Sequence, residues 1–153
     1  MTINEAKEFC SIYHHKFIVL GFLNTIIQEL TQRGQAHDQT KFDEDEFPHL
    51  VAALEDITKY PFGTPEYDAM RLKHQRVFAV HHSKNRHHPE HFANGVEDMT
   101  AIDLIEMLVD WKAASLREKD GSIEKSIQLG AEKYNIHPQL VKILVNTAKS
   151  CKM

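Results

Sequence analysis

The chain has 153 residues, is 42% hydrophobic and 26% charged, and carries a formal net charge of -4. That length and composition predict one soluble domain over residues 1–153 with its own core, and the acidic balance argues against general attraction to nucleic acid or anionic lipid. Its two cysteines, Cys10 and Cys151, form no C-x-x-C pair, and the start MTINEAKEFC lacks the basic region of a signal peptide, so the expectation is a cytoplasmic protein in a reducing compartment. The apolar stretch FIVLGFLNTII is too short and too interrupted by Asn24 and Thr25 to span a bilayer.

Helical periodicity dominates. Ile12, His15, Val19, Phe22, Ile26 and Leu30 recur at helical spacing, which predicts one helix over about 4 to 33, stopped by Gly34. Asp43 and Glu46 have the spacing of a capping box and predict a second helix through LVAALEDI. KYPFGTP reads as a loop. Thr64 followed by Pro65 predicts a third helix to about Asn85, and Pro89 makes HPEHFANGVED irregular. Thr100 with Asp103 predicts a cap for a fourth helix that runs to Asp120-Gly121, and two short helices follow in SIEKSIQLGAEKYNI and PQLVKILVNTAKS. No β-alternation or repeat interrupts this pattern, so the expected class is all-α, a helical bundle of about six helices.

Eleven histidines occur, and five of them lie between residues 81 and 91, in HHSKNRHHPEH. Either they are a solvated cluster or they serve metal or phosphate chemistry. His37-Asp38 sets an imidazole nitrogen beside a carboxylate, a pair suited to a divalent transition metal, although Asp38 could equally cap the next turn. Asp110 sits in the apolar run IEMLVDWKAA, where a partly buried carboxylate needs a cation or donors. His15 lies on the apolar stripe of the first helix, as a ligand or as a hydrogen-bonded core residue. Asp103 is better read as a cap than as a ligand.

The order His15, His37-Asp38, Asp110 in an all-helical chain resembles the HD superfamily of metal-dependent phosphohydrolases, and HDQTKF is similar to its H-D-x-x-K-F stretch, with Thr40 where a glycine is frequent. The whole chain more closely resembles an uncharacterised family of small bacterial and phage proteins that share a first-helix histidine, HD-x-x-KF, H-x-x-x-N-x-HH-x-x-H and EM-x-x-DW; here these read His15, residues 37–42, residues 81–91 and EMLVDWKAAS. The resemblance implies an HD-like fold and one or two divalent ions (Mn, Fe, Co, Ni or Zn). In HD proteins with two metals, further histidines lie between the HD pair and the last aspartate. His81 and His88 are favoured here as added ligands or phosphate contacts, with His87, His91, Asn85 and Glu90 as substrate contacts or supports of the ligands. His81, Asn85 and His88 would share a face if the third helix persisted that far.

The expected function is a metal-dependent phosphohydrolase acting on a nucleotide or other small phosphate ester. His15, His37, Asp38 and Asp110 would hold metal, Asp38 would bridge ions or orient water, and Lys41 would neutralise phosphate charge. An HD-type di-iron oxygenase and a non-catalytic module stapled by metal are the alternatives. No glycine-rich phosphate loop is present, and neither the substrate's identity nor the oligomeric state is encoded legibly.

Overall fold

A computed structural model describes residues 1–60 and 63–153. All regular structure among these residues is helical, in seven α-helices, as the periodicity predicts: α1 Ile3–Ala36, α2 Phe47–Ile57, α3 Pro65–Lys73, α4 Gln75–Lys84, α5 Ala101–Ser115, α6 Ile123–Lys133 and α7 Pro138–Ser150. No helix among them is long and apolar enough to cross a membrane. The chain divides into two compact units, Met1–Ala36 and His37–Met153.

The first unit is α1 alone. A capping box starts it: the Thr2 amide donates to Glu5 Oε2 at 2.6 Å, and the Glu5 amide donates to Thr2 Oγ1 at 3.2 Å. The helix continues through Gly34, where the sequence predicts a stop. One interior glycine costs about 1 kcal/mol of helix propensity, too little by itself to end a 34-residue helix.

In the second unit Met107 and Leu108 of α5, Ile123 and Ile127 of α6, Ile136, and Leu144 and Ala148 of α7 form the buried core. The caps read from the sequence at Thr64 and Thr100 both form, with Thr100 and Asp103 in a reciprocal box, and Ser122 caps α6. Asp103 is fully buried and also accepts a two-pronged bond from Arg86 at 3.0 and 3.1 Å, which ties the histidine-rich segment to the start of α5. Gly95 lets that segment turn at φ 60 before α5.

Three further expectations need correction. The predicted third helix is two helices, α3 and α4, hinged at His74, whose Nε2 lies 2.9 Å from Asp56 Oδ2 of α2. The fourth ends at Ser115 rather than at Gly121; the Ser115 hydroxyl donates back to the Lys112 carbonyl at 2.8 Å, a bond that competes with the helix. The capping box of Asp43 and Glu46 does not form, because Glu46 turns into the interior instead. Of the predicted loop KYPFGTP, Pro61 and Phe62 lie outside the described residues.

Gly130 of α6 packs under the ring of Trp111, and a Cβ there would fall 2.2 Å from the indole. Trp111 in turn lies parallel to Tyr134, ring centres 6.3 Å apart. Gly130→Ala is therefore expected to lower stability by roughly 1–2 kcal/mol despite alanine's better helix propensity, since the overlap costs more than the propensity returns. Urea denaturation checks this; an unchanged or raised midpoint would show that Trp111 moves aside freely.

Candidate metal centre

The centre begins at the end of the HD pair. Asp38 has φ 57, the left-handed region that a non-glycine residue enters only at a cost, although aspartate tolerates it better than most. It precedes a 3₁₀ turn, Gln39–Phe42, yet its side chain makes no capping bond. That result excludes the capping role the sequence left open and frees both carboxylate oxygens. Oδ2 accepts from Lys41 Nζ at 2.5 Å and lies 3.5 Å from His37 Nε2. Oδ1 faces the other way, 3.2 Å from His81 Nε2 and 3.5 Å from His87 Nε2. Burial works against this carboxylate's charge, yet the hydrogen bond and the positive charge of Lys41 hold it well below the usual carboxylate range.

His81 comes from the last turn of α4, and His87 and His88 from the segment after it. The helix does not persist to His88, as a shared helical face would require; it stops at Lys84. The rings still gather because the chain doubles back: the His88 amide donates to the Asn85 carbonyl, and centroids lie 4.8 Å apart for His81 and His88 and 4.1 Å apart for His87 and His88. Asn85 pins the turn, its amide donating to the His81 carbonyl at 2.8 Å and to Thr40 Oγ1 at 2.7 Å.

Two buried glutamates orient the imidazoles. Glu46, fully buried at the start of α2, has Oε1 2.5 Å from His81 Nδ1. Glu106 of α5 has Oε1 2.9 Å from His37 Nδ1 and 3.2 Å from His87 Nδ1. A carboxylate at Nδ1 keeps the proton there and leaves the Nε2 lone pair for a cation. The His81 and His87 lone pairs then point at Asp38 Oδ1, another acceptor. Among the described residues Asp38 Oδ1 and the Nε2 atoms of His81, His87 and His88 are all buried without a hydrogen-bond partner. Asp38 Oδ1 and the Nε2 lone pairs of His81 and His87 are three converging acceptors with no donor between them, and with the unpartnered His88 Nε2 beside them they form an arrangement that a metal ion satisfies. Burial lowers the pKa of both His87 and His88, so these rings are neutral and able to ligate.

Four sets of side chains each bring one ligand atom per residue within 4.8 Å of one another: Asp38, His81, His87 and His88; His37, Asp38 and Asp110; His37, His87 and Glu106; and His82, His88 and Glu90. The first two share Asp38. In the second, His37 Nε2 is 3.5 Å from Asp110 Oδ1, and the hydrogen bond to Asp110 outweighs burial and raises the His37 imidazole to about 9. Imidazole-rich donors with one or two carboxylates suit first-row transition metals rather than magnesium or calcium.

Of the residues singled out in the sequence, His37, Asp38, Asp110, His81, His87, His88 and Glu90 thus gather within these sets, with Asn85 behind His81. His91 donates from Nδ1 to the His82 carbonyl at 3.2 Å, and Glu90 is held by Lys133 and Tyr134 at 2.9 and 3.0 Å. His15 lies in the first unit, on α1. Sequence reasoning missed Glu46 and Glu106. Glu46 was absorbed by the capping-box pattern; Glu106 stands four residues before Asp110, a spacing that puts both carboxylates on one face of α5 and was a usable signal.

A model of a protein family matches residues 4–150; it describes a family of unknown function (DUF5662). The chain belongs to this family. No curated protein and no solved structure matches it.

Proposed function

We propose that the protein is a metal-dependent phosphohydrolase of the HD type, acting on a nucleotide or other small phosphate ester. The observation that carries this reading is the sharing of Asp38 between two adjacent ligand sets, one rich in histidine and one holding His37 and Asp110. When bound there, transition-metal ions polarise a phosphoryl oxygen and lower the pKa of a water. The chain's own groups do the rest. Glu46 and Glu106 fix the imidazole tautomers, and Asp38 presents one oxygen to each ligand set. Lys41, half-exposed beside Asp38 Oδ2, is placed to exchange that contact for a phosphate oxygen and to balance the charge that develops on it. Asp110, 3.5 Å from His37 Nε2, completes the second ligand set.

Lys41→Ala is expected to retain the wild-type metal content while lowering hydrolysis of nucleoside monophosphates by about 10- to 100-fold, because it removes charge and not a ligand. Elemental analysis alongside a phosphate-release assay decides the matter. Parallel loss of metal would give Lys41 a structural part. A protein that binds metal but releases no phosphate from a broad panel of esters would favour the metal-stapled module, whereas tightly held iron with an oxygen-dependent optical change would favour a di-iron oxygenase.

A further inference from the structure

The two ligand sets that share Asp38 are joined a second time, behind the imidazoles. Glu106 Oε1 lies 2.9 Å from His37 Nδ1 and 3.2 Å from His87 Nδ1, so one carboxylate oxygen faces one ring of each set. The two rings sit side by side, centroids 4.3 Å apart. Their other nitrogens turn to Asp38: His37 Nε2 is 3.5 Å from Oδ2, and His87 Nε2 is 3.5 Å from Oδ1. Asp38, His87, Glu106 and His37 therefore close a ring of contacts, with a carboxylate at each end and an imidazole on each side.

Glu106 is built to hold that ring. It is buried and precedes Met107 and Leu108, two fully buried core residues, so the stretch of α5 that carries it cannot shift without unpacking the core. One turn further along the same helix, Asp110 brings Oδ1 to 3.5 Å from His37 Nε2. A carboxylate oxygen has two lone pairs and accepts from two Nδ1–H groups at once. It keeps both protons on Nδ1 and leaves both Nε2 atoms to the ions. Glu46 differs: its Oε1 lies 2.5 Å from Nδ1 of His81, a ring of the histidine-rich set alone.

We propose that Glu106 is the common positioning residue of two metal sites: the same oxygen orients one ligand of each ion, so a single change behind the rings weakens both sites. This rests on the part of the phosphohydrolase reading that gives each ligand set an ion, and not on hydrolysis itself. Asp38 joins the sites from the metal side and Glu106 from the side of the protein interior. The ring that each ion needs is thus set by a residue that also serves the other ion.

The test is chelator competition on the full-length, cobalt-loaded protein, read by the visible absorption of cobalt, together with NMR of the imidazoles in the zinc-loaded protein. Wild type should release two ions per chain. Glu106→Ala should weaken both by about 10- to 100-fold, whereas Glu46→Ala should weaken one and leave the other unchanged. Glu106→Gln keeps an accepting oxygen and loses the charge, so it should fall between wild type and alanine. In its zinc-loaded form the Nδ1 proton signals of His37 and His87 should both move while that of His81 stays, a pattern that loosened packing alone does not produce. Two ions with only one of them weakened by Glu106→Ala, in a variant that circular dichroism shows folded, overturns the proposal and leaves the two-ion centre standing. Should alanine unfold the chain, Glu106→Gln makes the same comparison: both ions weakened supports the shared role, and one alone overturns it. A single ion per wild-type chain overturns both this proposal and the two-set reading beneath it.

Discussion

Asp38→Ala is expected to empty the metal centre, with affinity for manganese, cobalt or zinc lowered by more than about 100-fold; removal of a supporting partner alone costs 10- to 100-fold. Asp38 is the only residue common to the two ligand sets that contain His81 and Asp110, and each of its oxygens faces a different set. The loss should also appear as stability. At a free metal concentration a hundredfold above its dissociation constant, binding adds about 2.7 kcal/mol to the folded state, on the order of 10 °C in Tm for a unit of this size. Wild-type protein should lose that increment on chelation and regain it on adding metal, whereas Asp38→Ala should show one melting temperature under both conditions. Elemental analysis and differential scanning calorimetry read the two effects. Wild-type metal stoichiometry in the variant, or a wild-type Tm indifferent to chelator, would overturn the assignment of the centre.

Glu46→Ala is expected to lower metal affinity by about 10- to 100-fold although Glu46 belongs to none of the four ligand sets. Its Oε1 holds the proton of His81 on Nδ1, and this keeps the Nε2 lone pair aimed at Asp38. Without the carboxylate the ring is free to take the other tautomer, with a proton where the ion would bind. Asn85 Nδ2, 3.1 Å from the same Nδ1, would then gain an acceptor and stabilise the wrong form. Glu46→Gln, which keeps an acceptor but loses the charge, should fall between wild type and alanine. Nitrogen NMR of the imidazoles distinguishes this from a merely structural effect: the His81 tautomer should shift in Glu46→Ala, while the His87 tautomer, held by Glu106, should not. An unshifted His81 tautomer with unchanged affinity would sink the positioning role.

How much was legible differs between local and long-range features. Thr100 with Asp103, Ser122 and Thr64 mark their helix starts because a cap bonds to an amide only two or three residues away, so the information lies within one turn. The apolar stripe that makes α5, α6 and α7 pack was likewise visible as periodicity. His74 shows the limit. Nothing near it breaks a helix, and its partner Asp56 lies 18 residues earlier in α2.

The sequence by itself determined the all-helical class, the helices' approximate spans and the residue types of the centre, because propensity, capping and the HD pair act locally or survive as spacing. Tertiary structure alone decided which of those residues share an ion. The chain bends at His74 and doubles back at Asn85, bringing three imidazoles from one short stretch against an aspartate more than forty residues earlier. It also decided that Glu46, whose spacing suited a helix cap, is buried against His81 instead. A carboxylate within hydrogen-bonding distance of a buried imidazole gains more there than at an exposed helix end, where water competes for every bond.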